Sequence, residues 1–200
     1  MGRQFDSSDE KLEAVIGAPR MFFVATAPRD DDGHVNLSPK GLDTCAILGP
    51  REVAYLDLVG SGAETIAHLR ENGRIVVMMC AFQDPPVIHR FHGRGSVLLP
   101  GDEGFDSLAA LFDRSELGVR AIVRIDVTRV SDACGFGVPL YEFQAQRDQM
   151  ANDLRSVGRD RFVEQFTELW ATSIDGVPGL TAEESQTFRG PVPGVQIVDG

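Results

Sequence analysis

The chain has 200 residues, of which 42% are apolar and 24% are charged, and its formal net charge is −11. This length and composition allow one sizeable hydrophobic core and are ordinary for a globular protein. The negative charge disfavours nucleic acid and anionic membrane surfaces as partners, because both would repel the chain. No apolar run approaches the roughly 20 residues that a membrane helix needs, so we expect no association with membranes.

The start of the chain lacks the apolar stretch of a secretory signal, and its three cysteines are widely spaced. Cys45, Cys80 and Cys134 form neither a CxxC pair nor a disulfide framework, so we expect a reducing, cytoplasmic location. Cys45 and Cys80 lie in apolar runs typical of core strands. Cys134 lies in a glycine-rich loop, where it would line a pocket or act as a redox thiol, but we expect a buried, unreactive side chain.

Short elements follow one another along the first half of the chain. Capping residues followed by apolar residues at helical spacing predict a helix over 7–17. An apolar run over 21–26, a polar turn and the alternating residues 35–38 predict a β-hairpin. Apolar runs and turn signals then predict strands over 53–58, 74–79 and 87–99, with a helix over 63–72 and glycine bends at Gly93 and Gly95.

The second half continues with a predicted helix over 105–112 and a strand over 119–130. Helical spacing returns over 140–154 and 161–170, and no periodicity remains beyond about residue 171. We therefore expect a main domain over 1–170 and an irregular tail over 171–200. About seven short strands with brief helices between them favour an antiparallel barrel over alternating βαβ units.

Several of these segments carry a family resemblance. In chain order they are Val35-Asn36-Leu37-Ser38-Pro39-Lys40-Gly41, the strand 53–58 with its turn Gly60-Ser61-Gly62 and helix start Ala63-Glu64-Thr65, the strand at Arg74, the bend Gly93-Arg94-Gly95, and Cys134-Gly135-Phe136-Gly137-Val138-Pro139. Together they resemble the FMN-binding split-barrel family of pyridoxamine 5′-phosphate oxidase, in a less characterised branch. The resemblance implies a mainly β fold: an antiparallel split β-barrel of six or seven strands with short helices, followed by a helical C-terminal segment.

The resemblance also implies where a flavin would bind. In that family a lysine at a strand end contacts the flavin phosphate, and Lys40 stands at this place. Glu64 and Thr65 stand where the family carries an arginine–lysine pair, and the vitamin-substrate residues have no clear match here. The fold and the cofactor class therefore transfer better than the reaction. The residues implied as FMN contacts are Asn36, Leu37, Ser38, Lys40, Tyr55, Ser61, Thr65 and Arg94.

The turn from Gly60 to Glu64 admits two interpretations. Ser61 and Glu64, three residues apart, fit a capping box at the start of a helix. Alternatively, free backbone N–H groups and the helix dipole would attract a phosphate, and the small residues would let it approach closely. Lys40 and the order of the strands favour the phosphate, whereas the negative charge of Glu64 opposes it.

No metal site and no catalytic acid or base is predicted. His34 and His68 have no partner at ligand spacing, and His89 and His92 lie on opposite faces of a predicted strand. Hydride transfer on a flavin requires no general acid or base. We therefore predict an FMN-dependent oxidoreductase that acts on a small organic molecule as a homodimer with shared flavin sites. A non-catalytic flavin-binding or sensing protein, and a barrel that uses the deazaflavin coenzyme, haem or no cofactor, remain open.

Overall fold

The computed structural model describes residues 4–5, 20–112 and 118–188, and the helix predicted over 7–17 lies outside them. Its strands are β1 (Gln4–Phe5), β2 (Phe22–Thr26), β3 (Asn36–Lys40), β4 (Cys45–Gly49), β5 (Glu52–Leu58), β6 (Arg74–Cys80), β7 (Val87–Leu98) and β8 (Val119–Cys134). Its helices are α1 (Glu64–Asn72), α2 (Phe105–Ala109), α3 (Gln149–Val157), α4 (Arg159–Ala171) and α5 (Ala182–Ser185).

The strands form one sheet of eight strands in the order β3-β2-β6-β7-β8-β5-β4, with β1 paired to β8. All of the pairings are antiparallel. β3 and β4 end this path as its two edges, so the barrel is open between them. The predicted antiparallel split barrel with short helices is therefore confirmed, with eight strands where six or seven are expected.

A glycine bend in β7 lets the sheet curve. The register between β7 and β8 shifts between His92 and Gly93, which is a β-bulge at the place that the sequence predicts. A Cβ atom at Gly93 would lie 2.4 Å from the carbonyl oxygen of Asp126 and 2.9 Å from a methyl carbon of Ile125. Two backbones approach too closely here for any side chain, so this position requires glycine.

Alternate residues of the strands fill the interior of the barrel. In β2, Phe22, Val24 and Thr26 are buried and the residues between them are partly exposed, because successive side chains point to opposite faces of a sheet. Tyr55 from β5 and Phe91 from β7 are fully buried in the same cluster. Tyr55 meets Phe22 edge to face, with their ring centroids 5.6 Å apart.

The C-terminal segment packs against the barrel through a second apolar cluster. Trp170 of α4, Leu154 of α3 and Ile66 of α1 are buried together, and Leu180 and Phe188 add to this cluster from beyond α4. The described residues after α4 contain little regular structure besides α5, yet they contribute to the core. The division into a main domain and an irregular tail stays a prediction.

The segment between β8 and α3 differs from the prediction. Residues 135–148, called the strap below, form neither helix nor strand, so the helix predicted over 140–154 is wrong before Gln149. The backbone N–H of Tyr141 donates to the carbonyl oxygen of Phe82, 3.0 Å away, instead of to a helical turn. Tyr141 therefore anchors the strap to the barrel through its backbone and its ring, whereas Phe136 and Leu140 of the strap are exposed.

The cysteines follow the prediction in part. Cys80 is buried, and Cys45 packs against the barrel core, where burial raises its pKa to about 12. Cys134 is exposed at the end of β8, so the expectation of a buried thiol is wrong there. Among the described helices, none is both long and apolar enough to cross a membrane.

Candidate functional site

A cavity of about 1290 Å³ lies between the strap and one end of the barrel. The ends of β3 and β6 and the start of β7 form its wall on the barrel side, where Lys40 lies. On the strap side, the rings of Tyr141 and Phe82 pack with their centroids 5.5 Å apart, and the guanidinium of Arg20 lies 5.1 Å from the ring centroid of Phe143. Aromatic side chains therefore line one side of the cavity.

Lys40 belongs to a largely buried cluster of three charges, which also contains Asp57 and Arg120. Two guanidinium nitrogens of Arg120 converge on Oδ2 of Asp57, at 2.9 and 2.7 Å. The ammonium of Lys40 lies 3.5 Å from the other carboxylate oxygen, Oδ1, and 5.7 Å from the ring centroid of Tyr55. Side-chain exposure is 1% for Asp57, 6% for Arg120 and 18% for Lys40. Lys40 is thus the member that faces the cavity.

The charges of this cluster do not cancel. Burial alone would raise the pKa of Asp57, but the charges and hydrogen bonds of Arg120 and Lys40 outweigh it and lower the pKa below its usual value. Asp57 is therefore ionised at neutral pH. Two cations and one anion leave the cluster with one positive charge in excess, beside a cavity that is large enough for a ligand.

Two side chains from outside the turn hold the carbonyl groups of Gly60-Ser61-Gly62. Arg120 donates to the oxygen of Gly62 at 2.7 Å, and the indole N–H of Trp170 donates to the oxygen of Gly60 at 2.5 Å. The guanidinium of Arg120 also lies 5.4 Å from the ring centroid of Trp170. One buried arginine therefore connects β8, the turn before α1 and the C-terminal helix α4.

The capping-box interpretation of this turn is wrong. The residue that caps α1 is Ala63, which has no side-chain cap, and Ser61 is exposed in the turn before it. Glu64 is the first residue of the helix instead of the partner of a capping serine. A capping box does occur at Thr181 and Glu184, at the start of α5. The backbone N–H groups at the start of α1 are thus not used by Ser61.

Polar side chains at the barrel mouth connect α1 to β2 and β3. The side-chain amide of Asn36 donates to the hydroxyl oxygens of Thr26 and Thr65, both at 3.0 Å, and Thr26 lies 3.0 Å from Nδ1 of His68. Burial lowers the pKa of His68, so its ring is neutral at pH 7. Among the described residues, Nε2 of His68 and Oη of Tyr55 are buried without a hydrogen-bond partner.

Tyr55 lies between this network and the charge cluster. Burial raises its pKa well above the usual value, and the negative charge of Asp57 adds to the effect, so the phenol stays protonated. The hydroxyl of Thr65 lies near enough to lower that pKa in part, but outside hydrogen-bond geometry. Tyr55 therefore presents its ring to Lys40 and an unpaired hydroxyl to the interior.

The remaining predicted residues lie apart from this cluster. Leu37 is 63% exposed on the edge strand β3, and Ser38 is half-buried on the same strand. Arg94 donates to the carbonyl oxygen of Asn72 at 2.5 Å, at the C-terminal end of α1. This end lies about 13 Å along the helix from the turn at Gly60-Ser61-Gly62, where the sequence predicts a phosphate. Of the predicted contacts, all of them within the described residues, Lys40 is the one that lines the cavity. The role of these residues as cofactor contacts stays a prediction.

Sequence reasoning missed Asp57, Arg120 and Trp170. Asp57 and Arg120 each interrupt an apolar strand, and a charge in such a run indicates a buried ion pair. The sequence cannot say which charges pair, because these two residues lie 63 positions apart. In the part of the chain that the structure describes, no three His, Cys, Asp or Glu side chains gather closely enough to hold a metal ion.

The sequence of this chain is similar to those of known proteins. The family model of pyridoxamine 5′-phosphate oxidase matches residues 8–134. The pyridoxamine 5′-phosphate oxidase family protein ustO of Aspergillus flavus is 37% identical over 191 residues, which covers 86% of this chain and 75% of that protein.

Two solved structures resemble part of this chain. HupZ of Group A Streptococcus has a TM-score of 0.52 and 18% identity, covering 62% of this chain and 98% of that chain. An FMN-binding protein of Syntrophomonas wolfei has a TM-score of 0.48 and 19% identity, covering 60% of this chain and 82% of that chain. Because the family model matches more than half of the residues and ustO is related along most of the chain, this protein belongs to the pyridoxamine 5′-phosphate oxidase family.

Proposed function

We propose that this protein binds FMN in the cavity beside Lys40 and acts as a flavin-dependent oxidoreductase on a small organic molecule. The observation that carries the proposal is the position of Lys40, whose ammonium lies on the cavity wall next to a cluster with one positive charge in excess. Membership of an oxidase family supports the same class of cofactor and of reaction.

The cavity suits a flavin in size and in chemistry. Its volume of about 1290 Å³ exceeds the roughly 300–1,000 Å³ of ordinary small-molecule sites, so a substrate has room beside the cofactor. Phe82, Tyr141 and Phe143 offer aromatic faces to a planar ring, and Lys40 offers a charge-assisted hydrogen bond to a phosphate. A bound flavin would supply hydride or electron transfer. The protein's own residues would bind the phosphate, support the ring and exclude water.

We further propose that the protein forms a homodimer with shared flavin sites. Four large apolar side chains are exposed in the single chain: Leu37 on the edge strand β3, Val35 just before that strand, and Phe136 and Leu140 on the strap. Exposed apolar side chains of this size are typical of interaction surfaces, and a second copy would cover them through an isologous interface. Light scattering should give about twice the chain mass of 21.8 kDa, whereas a monomer that retains flavin would contradict shared sites.

A visible spectrum of the purified protein tests the cofactor class first. Bound FMN would give two flavin bands, whereas a Soret band would indicate haem and contradict the proposal. A colourless protein would be titrated with FMN and with the deazaflavin coenzyme. Binding of the second alone would contradict FMN. Catalysis is tested by reducing the flavin-loaded protein and following its reoxidation with candidate substrates, and reoxidation no faster than that of free FMN would favour a non-catalytic flavin-binding or sensing protein.

The phosphate contact is tested by Lys40→Ala. Asp57 keeps its pair with Arg120 in this variant, so the fold should persist. Loss of a charge-assisted hydrogen bond costs about 1.5–3 kcal/mol, so FMN affinity should fall about tenfold to a hundredfold. Riboflavin, which lacks the phosphate, should bind as before. Arg129→Ala, which removes an exposed cation on β8, is the matched control and should affect neither ligand. Equal losses for both flavins in Lys40→Ala would refute the contact.

A further inference from the structure

Asp57 creates a difficulty for a phosphate site at Lys40. A carboxylate next to a lysine tends to form an ion pair with it, which leaves little of the lysine's positive charge for a ligand. The carboxylate of Asp57 is almost fully buried, where this attraction is strong. Here the carboxylate is shared between two cations, and Arg120 is the nearer of the two. Arg120 places two nitrogens within 2.9 Å of Asp57, whereas Lys40 stays 3.5 Å away from the carboxylate.

We infer that Arg120 is a positioning residue for the phosphate of the cofactor, because it neutralises Asp57 and so leaves the charge of Lys40 available to a ligand in the cavity. The inference rests on the proposed flavin site. It assigns a role in binding to a side chain that contacts no ligand and acts through Asp57 alone.

The surroundings of Arg120 support an indirect role. Its side chain is 6% exposed and does not line the cavity, because the ring of Trp170 lies over it and the carbonyl of Gly62 accepts from it. These two contacts help to hold the guanidinium at Oδ2 of Asp57, whereas Lys40 lies at the other oxygen, Oδ1. Arg120 is therefore held where it compensates the carboxylate without competing with Lys40 for a phosphate.

Removal of the guanidinium has a specific consequence. In Arg120→Gln the carboxylate of Asp57 is left with Lys40 as its remaining cation in the cluster, so this ion pair should close and draw the ammonium away from the cavity. The phosphate-dependent part of flavin binding should then be lost, whereas binding of the ring should persist. In the double variant Arg120→Gln/Asp57→Asn, the carboxylate is neutral as well, and the charge of Lys40 becomes available again.

The experiment compares four proteins: the wild type, Lys40→Ala, Arg120→Gln and Arg120→Gln/Asp57→Asn. FMN and riboflavin affinities are measured by the change in flavin fluorescence, and the ratio of the two affinities reports the phosphate contact. We expect a ratio of about ten to a hundred in the wild type. The ratio should fall to near one in Lys40→Ala and in Arg120→Gln, and recover in the double variant.

A merely structural role for Arg120 would give a different pattern. It would lower both affinities together, leave their ratio unchanged and gain nothing from the second substitution, and this result would overturn the inference. If Arg120→Gln does not fold, the double variant decides, since its two amides can hydrogen-bond to each other; a ratio near one there overturns the inference. If the wild type itself does not prefer FMN, the proposed phosphate site fails, and the inference fails with it. If the ratio of FMN to riboflavin affinity falls as expected in Lys40→Ala but is unchanged in Arg120→Gln, the inference about Arg120 is overturned while the proposed phosphate site stands.

Discussion

Substitution of Asp57 by asparagine should destabilise the fold strongly. The side chain is 1% exposed, and its replacement leaves the guanidinium of Arg120, itself 6% exposed, without a counter-charge next to Lys40. Breaking a buried ion pair by removal of one partner costs about 3–5 kcal/mol. In a chain of this size each kcal/mol lowers Tm by about 2–4 °C, so we expect a decrease of about 6–20 °C.

Glu52 provides a matched control on the same two strands. Its carboxylate pairs with Arg124, as Asp57 pairs with Arg120, but the side chain of Arg124 is 48% exposed. An exposed pair contributes at most about 1 kcal/mol, so Glu52→Gln should change Tm by no more than a few degrees. Both variants are to be unfolded in urea as well, because equal denaturant slopes would show that the denatured states are comparable.

The pH dependence gives the same prediction an independent test. The pKa of Asp57 is lower in the folded protein than in the unfolded chain, so its contribution is complete above about pH 4 and is lost as the pH falls through the lowered folded value. The stability difference between the wild type and Asp57→Asn should therefore narrow in strong acid. Equal, small losses for Asp57→Asn and Glu52→Gln, or a difference independent of pH, would refute the assignment of a buried ion pair.

Two further substitutions test the barrel and its mouth. Gly93→Ala would place its Cβ 2.4 Å from the carbonyl oxygen of Asp126 and should cost about 1–3 kcal/mol in urea unfolding, whereas Gly137→Ala meets no atom within 4 Å and should cost little. Burial lowers the pKa of His68, so below about pH 6.5 the imidazole is protonated in the unfolded chain but stays neutral in the folded protein. The free energy of unfolding should therefore fall as the pH drops below about 6.5. His68→Gln should make this decrease shallower, and an unchanged slope would show that His68 is not its source.

The sheet was predictable because its signals are local. Apolar alternation and flanking turns located β2, β5, β6 and β7 to within about two residues, and the glycines of β7 located its bend. The strap was not predictable in the same way. Its apolar residues occur at helical spacing, but the ring of Tyr141 packs on Phe82, and Tyr141 and Phe143 line the cavity. Periodicity alone cannot distinguish these contacts from a helix face.

The candidate site was predictable only in part. The candidate role of Lys40 is predictable from its place at a strand end in the family pattern. Its partners in the charge cluster are determined by packing across the barrel, which the sequence does not show. Asp57 and Arg120 meet because β5 and β8 are neighbours in the sheet, which no spacing in the sequence encodes. Ser61 and Glu64 show that sequence spacing alone does not establish a capping box. Their spacing fits one, but the helix begins at Glu64 itself.

Trp170 is the single tryptophan of the chain, and its place makes it a natural optical probe. The ring is fully buried, lies over Arg120 and donates to Gly60 in the turn before α1. Its emission therefore reports on one known location, where the C-terminal helices meet the charge cluster. Detachment of α4 from the barrel would expose the indole to water and shift its emission to longer wavelengths. The native protein thus carries its own unlabelled sensor of whether this junction is closed.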